Sequence, residues 1–333
     1  MIAQTSQLPK QKLDKQMNQF KIVGFYPGWA GNCIHSFPLD LLTHINYAFA
    51  IPREDGTVFE IDQPKLVREL ISFAHDKGIR VGLAVGGWSY QDIPLEDAFV
   101  LATENEDKRK TFVQSILNIV DKYGFDGVDM DWEYPKPNLS AKQYEMFMIL
   151  LKAKLQSRNK FLSASVIAFD PTVGKGQTDY VLHLVDWINI MAYDSNDEGG
   201  HASITIANQS IHYWLYQRKV PNHKIVLGLP FYSRPNYKTF CEIVDFDPDA
   251  AKLDRVIIDG VLQSYNGIET IVSKTKWAIC NAGGVMIWEV TQDTYNESLS
   301  LLHAIARTVH MRFDSSKEKT DKFTKKHFNT MVE

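Results

Sequence analysis

Asp129, Asp131 and Glu133 stand at every second position of the run FDGVDMDWEYP, residues 125–135. In an extended strand, side chains alternate between faces, so these acids share one face while Val128, Met130 and Trp132 take the other. Successive residues on one face lie about 7 Å apart, at roughly 3.3 Å of rise per residue. The apolar opposite face makes this a buried strand rather than an exposed acidic turn. Neighbouring carboxyls on a buried face cannot all stay ionised: like charge and desolvation must keep at least one protonated near neutral pH. A carboxylic acid held neutral at pH 7 is what general-acid catalysis requires. The row therefore reads as a device for holding and delivering a proton, with Glu133 last along the strand. Asp126 is out of phase and reads as structural. A divalent-cation site built from the same carboxylates is the competing reading, although the chain offers no EF-hand glycine or His-containing motif around them.

Such a strand needs neighbours, and apolar runs recur along the chain at Ile22–Tyr26, His44–Ala50, Ile79–Gly87, Phe125–Asp131, Phe161–Phe169, Trp187–Tyr193, Lys224–Tyr232 and Gly283–Val290. Most are short and near-continuous, as parallel strands covered on both faces are. Helical periods lie between them. Over 63–77, Leu66, Leu70, Phe73 and Ala74 form one stripe that stops at Gly78. Over 107–123, Phe112, Ile116, Ile119, Val120 and Tyr123 do the same before Gly124. Further helices are expected over 140–157, 207–217, 264–280 and 296–310. Strand–helix alternation repeated about eight times predicts an α/β protein made of a single closed (β/α)8 TIM barrel. A doubly wound open sheet is the alternative, but its Gly-x-Gly-x-x-Gly turn is missing after the first strand, where GFYPGWAG stands instead. In a barrel the acids point inward and Glu133 reaches the C-terminal mouth, where barrel enzymes keep their chemistry. The longest connection, between Tyr232 and Gly283, is too short for a large α+β insertion domain.

The 333 residues carry a formal net charge of −4, which gives no reason to expect nucleic acid or an anionic membrane as partner. No window is apolar enough to span a bilayer. Cys33, Cys241 and Cys280 form a sparse, odd set without zinc spacing, so neither a disulfide framework nor a metal site is expected, and no cofactor. The start, MIAQTSQLPKQKLDKQ, lacks the apolar run of a signal peptide, and localisation stays open. Residues 1–20 read as a polar extension and 314–333 as a charged tail, flanking a catalytic barrel over 21–313. The barrel is expected to act as a monomer.

At these residues the sequence resembles glycoside hydrolase family 18, the chitinases and related endo-β-N-acetylglucosaminidases. Its D-x-x-D-x-D-x-E signature is matched by Asp126, Asp129, Asp131 and Glu133. VGGW (Val85–Trp88) resembles the family's segment ending the third strand, MAYD (Met191–Asp194) its M-x-Y-D, PFYSR (Pro230–Arg234) its P-x-Y-G-R, and Trp288 its tryptophan on the eighth strand. The resemblance implies retaining hydrolysis in which the substrate's own 2-acetamido carbonyl attacks the anomeric carbon, a departure from the two-carboxylate scheme. Glu133 would protonate the glycosidic oxygen and later serve as base for the incoming water. Asp131 would orient the acetamido N–H, and Asp129, deeper in the barrel, would share a proton with Asp131. Tyr193 would donate its hydroxyl to the acetamido oxygen, and Asp194 would help fix the sugar.

Trp288 would floor the subsite of the distorted sugar and Trp88 would stack on the leaving side. Phe49, Gly87, Tyr134, Met191, Tyr232 and Arg234 would complete the groove. Trp29 falls outside this set, and Trp187, Trp214 and Trp277 read as structural. Ala84 and Phe25 stand where the family often has Ser and Tyr. Those hydroxyls commonly bond the deep aspartate, so Asp129 is expected to depend more on sharing a proton with Asp131. Ser233 replaces a usual Gly. The implied partners are chitin or N-acetylglucosamine oligosaccharides, cleaved internally in an open, shallow groove. Cleavage of N-glycans or bacterial wall glycan remains an alternative. So does an inactive chitin-binding lectin, although such relatives usually lose the acid that Glu133 keeps.

Overall fold

In the computed structural model, which describes residues 20–195, 197 and 199–313, all eight apolar runs become parallel strands of a closed barrel. In chain order the strands are β1 (Lys21–Pro27), β2 (His44–Ala50), β3 (Arg80–Gly87), β4 (Ser89–Tyr90), β5 (Ile93–Pro94) and β6 (Gly127–Trp132). There follow β7 (Phe161–Ile167), β8 (Trp187–Met191), β9 (Ile225–Pro230), β10 (Arg255–Ile258), β11 (Val261–Ser264) and β12 (Gly284–Trp288). β4 with β5, and β10 with β11, form small antiparallel ribbons. The other strands close the barrel, β1 pairing with both β2 and β12. That closure excludes the open doubly wound sheet.

The helices are α1 (Pro64–Asp76), α2 (Glu96–Ala102), α3 (Glu106–Tyr123), α4 (Ala141–Gln156), α5 (Asp179–Leu184), α6 (Ile204–His212), α7 (Phe240–Phe246), α8 (Ile268–Asn281) and α9 (Leu301–Phe313). Local chemistry sets their ends. The Asn105 side chain accepts from the Lys108 N–H at the start of α3, and Gly124 ends that helix in the left-handed region at φ 87°. Leu66, Val67, Leu70, Ile71 and Ala74 are the buried stripe of α1.

Three helix limits differ from expectation, each for a local reason. α9 starts at 301 rather than 296, because the buried Asp293 carboxylate accepts from the Leu301 and Leu302 N–H groups and the Ser300 hydroxyl. α6 starts at 204 because Ser203 caps it, and a π turn continues it over Tyr213–Gln217. Residue 264 belongs to β11, so α8 begins only after Gly267.

Two apolar layers result. One large layer lies between strands and helices. A smaller one fills the barrel itself, with Val23, Phe25, Ala48, Ala84, Phe161, Trp187, Val226 and Met286. At the N-terminal end the His44 ring is flanked edge-on by Phe161 and Trp187, at 5.7 and 5.0 Å between centroids. Lys21 lies over the Trp187 ring and Arg80 over Phe161. Burial, with those cations nearby, holds the His44 pKa down to about 3. Asp126 braces this end, accepting from the Val81 N–H at 2.7 Å and lying 2.8 Å from His75 Nε2. Phe20 is already buried in the core, one residue before the expected barrel boundary. The remainder of the N-terminal extension and the 314–333 tail lie outside the described residues.

Candidate active site

β6 carries the acids because its outward residues, Val128, Met130 and Trp132, are buried against the helix layer. Asp129 and Asp131 then face into the barrel, and Glu133 follows just beyond the strand's last residue. The register sets Asp129 between Ala84 of β3 and Ser163 of β7. Asp129 is fully buried and accepts hydrogen bonds from Ser163 Oγ at 2.5 Å, Ser165 Oγ at 2.8 Å and Asn189 Nδ2 at 2.8 Å. The Trp187 indole N–H steadies Asn189 Oδ1 at 3.1 Å. This corrects the expectation drawn from Ala84 and Phe25: the deep carboxylate does not lack hydroxyl donors, since β7 supplies them. Burial raises the Asp129 pKa to about 6, against the pull of those same donors.

Asp131 is 4% exposed, and its Oδ1 has no hydrogen-bond partner among the described residues. Burial first, then the charges of Glu133 and Asp129, push its pKa well above the carboxylate range. Glu133 is raised to about 7, mainly by burial. The Tyr134 hydroxyl works in the opposite direction and the Asp194 charge adds to the rise. Asp131 and Glu133 thus interact strongly and titrate as a pair. The arrangement can keep a proton at the barrel mouth at neutral pH and hand it to a bound oxygen.

Tyr193 and Asp194 follow β8, whose last residue, Met191, packs on the inner apolar cluster. The buried Tyr193 hydroxyl rests on Met286 Sδ at 3.7 Å. Asp194 has φ 56°, and its Oδ1 accepts from Tyr232 Oη at 2.7 Å and from Arg234 Nε at 2.8 Å. Burial alone would raise the Asp194 pKa, but its contacts with His201, Arg234 and Tyr232 bring it down to about 2. The Arg234 guanidinium also lies 3.8 Å over the Tyr237 ring.

Aromatic rings gather at the ends of β1, β2 and β12. Trp288 stacks with Phe49 at 5.6 Å, meets Trp29 at 6.3 Å and meets Phe25 edge-on at 5.6 Å. Trp29 is 67% exposed and also tilts against Phe49 at 6.1 Å. Gly87, at φ 94°, lies against the Phe49 ring. Trp88 stands on the rim before β4, 62% exposed and apart from this cluster. Among the described residues, no three His, Cys, Asp or Glu side chains are placed to hold a metal ion.

Several residues of the site escaped the sequence reading. Ser163 and Ser165 alternate within FLSASVI, and Asn189 interrupts WINIM; polar residues two apart in otherwise apolar strands are the signal that could have found them. Trp29, His201 and Met286 carry no such pattern.

A sequence profile described as Glycosyl hydrolases family 18 matches residues 21–293. Among solved structures, the GH18 chitinase ChiB from the chitin utilization locus of Flavobacterium johnsoniae is 30% identical, with a TM-score of 0.77 over 87% of this chain and 94% of that one. A chitinase from Bacteroides thetaiotaomicron is 25% identical, with a TM-score of 0.76 over 87% of this chain and 96% of that one. Among curated proteins, "Chitinase 1" of Aphanocladium album is 27% identical over 304 residues, 77% of this chain and 66% of that protein. "Probable chitinase 10" of Drosophila melanogaster is 28% identical over 257 residues, 65% of this chain. The chain spans 66% of the length of the first of these curated relatives and 11% of the second.

Proposed function

The chain belongs to glycosyl hydrolase family 18, and on that premise we propose that it cleaves β-1,4-linked N-acetylglucosamine polymers internally, with retention, through the substrate's own 2-acetamido group. The observation that carries the reading is the pair formed by Glu133, raised to about 7, and Asp131, buried with an unpaired oxygen. Protonated Glu133 gives its proton to the glycosidic oxygen as the C1–O bond breaks. The acetamido carbonyl oxygen forms the new bond to C1, giving an oxazolinium ion. Asp131 Oδ1 takes the acetamido N–H and offsets the developing charge. The Tyr193 hydroxyl exchanges its weak sulfur acceptor for the acetamido oxygen. Ionised Glu133 then removes a proton from water, which attacks C1 on the face the leaving group left, so configuration is retained.

Trp288, with Phe49 and Trp29, would hold the distorted sugar, and Trp88 would meet the leaving side. Asp194, Tyr232 and Arg234 would fix its hydroxyls, with Tyr134, Met191 and Gly87 lining the mouth. The connection between β9 and β12 holds α7, a short 3-10 helix over Pro248–Lys252, a two-stranded ribbon and α8. That short insert supports an open groove and internal cleavage.

The test compares wild type with Glu133→Gln on chitin tetramer to hexamer, following products and their anomeric form. Gln keeps the shape but cannot deliver a proton, so activity should fall by about 10³-fold or more, while wild-type products appear first as β-anomers. α-Anomers, or an undiminished mutant, would overturn the mechanism. A wild type silent on chitin but active on N-glycans would move the substrate.

A further inference from the structure

Lys274, on α8, is 2% exposed. Its Nζ donates to the Ala202 carbonyl at 2.7 Å and to Asn266 Oδ1 at 2.7 Å. Asn266 Nδ2, itself buried, donates to the same carbonyl at 2.8 Å. One backbone oxygen thus receives two buried side-chain donors. No carboxylate lies within ion-pair reach of Lys274 among the described residues, and burial lowers its pKa to about 7. A neutral amine keeps two N–H donors, matching its two acceptors, so this contact does not need the charge. A buried amine is costly compared with an apolar side chain of the same length. What it adds is a fixed position for Ala202.

The residue before Ala202 is His201, 4% exposed. His201 Nε2 lies 3.2 Å from the Tyr232 carbonyl, and its Nδ1 lies 3.4 Å from both the Asp194 backbone N and Asp194 Oδ1. The His201 carbonyl accepts from the Ser195 N–H at 3.1 Å. His201 is therefore tied to Tyr232, to Asp194 itself and to Ser195, and the Asp194 charge in turn acts on Glu133. We propose that Lys274 and Asn266 are positioning residues: they clamp the Ala202 carbonyl and, through His201, hold Asp194 in its place at the site. The kinetic part rests on the function proposed above; the clamp does not.

Lys274→Met keeps the apolar stem and removes the donors. With the clamp gone, Asp194 gains freedom to turn to solvent, and its influence on Glu133 falls. The Ser195 amide should exchange about tenfold faster with solvent deuterium. The Glu133 carboxyl, followed by ¹³C NMR and assigned with Glu133→Gln, should titrate a few tenths of a unit lower. Asp131, Tyr134, Tyr193 and Tyr232 also face Glu133 and are unchanged by the substitution. On chitin oligomers kcat should fall about fivefold with KM within about twofold. Asn266→Ala removes one donor to the Ala202 carbonyl and one acceptor of Lys274, leaving the Lys274–Ala202 bond; it should move all three readouts the same way, and it serves if Lys274→Met does not fold. A lower melting temperature with unchanged Ser195 exchange and unchanged Glu133 titration would overturn the proposal and leave Lys274 a packing residue. A wild type inactive on chitin would sink the functional reading alone, since exchange and titration still decide the clamp.

Discussion

Asp194 helps set the chemistry of Glu133. Asp194 is held ionised by Tyr232, Arg234 and His201, and its negative charge raises the Glu133 pKa. In the proposed mechanism Glu133 must be protonated to act, so activity should be lost as pH rises through its pKa. Asp194→Asn removes the charge and should move the alkaline limb of the kcat/KM profile to lower pH by about half a unit or more. A limb that stays in place would mean burial alone fixes the Glu133 proton. Deeper in the barrel, Ser163→Ala takes one donor from a fully buried carboxyl. The folded state should lose about 1–3 kcal/mol by chemical denaturation, and the Asp129 pKa should rise from about 6. At the mouth, Trp29→Ala should raise KM for chitin hexamer several-fold with little change in kcat, because an exposed ring tilted against the Trp288 cluster contributes binding rather than proton transfer.

At the scale of the element, β6 works as a ruler whose alternation puts acids inside and Trp132 outside. That arrangement needs a helix layer to cover the outer face: Trp132 meets Tyr144 of α4 edge-on at 5.6 Å and stacks on Phe99 of α2 at 4.8 Å, and Phe99 in turn packs against Phe112 of α3. The start of α3 depends on Asn105. Asn105→Ala should cost about 1 kcal/mol and lower Tm by about 2 °C, leaving the pH profile unchanged. The strands and the long amphipathic helices were legible because their periods are long enough to stand out. The β10–β11 ribbon was not, since four-residue strands leave too little period to read. Nor was the late start of α9, because a buried Asp293 overrides a run that local propensity would allow to be helical.

For the whole molecule, buried carboxyls make stability depend on pH in an unusual direction. Glu133 and Glu289 are raised to about 7 and Asp129 to about 6, chiefly by burial. Each binds its proton more tightly folded than unfolded, so its stabilising contribution is complete below about pH 4 and is lost as pH rises through 6 to 7. Every such group contributes about 1.4 kcal/mol per pH unit between its two pKa values. His44, lowered to about 3, opposes this below its ordinary pKa, and Lys274, lowered to about 7, adds a small opposing part as pH falls from 7.5 to 7, but the raised carboxyls outnumber them over this range. Asp194 opposes it only as pH falls toward about 2. Tm should therefore be higher at pH 5 than at pH 7.5 in scanning calorimetry. A flat or opposite trend would mean that these carboxyls are ionised in the folded protein.

The sequence by itself determined the barrel, its eight strands and the acidic row, because alternation and amphipathic period act locally and leave their mark on neighbouring residues. Tertiary structure alone decided which groups face those acids. Ser163, Ser165 and Asn189 reach Asp129 from β7 and β8 only after the strands take register. Trp29 joins Trp288 only when β1 closes against β12. The hold of Lys274 on Ala202 spans 72 positions of chain, a separation across which no local pattern carries information.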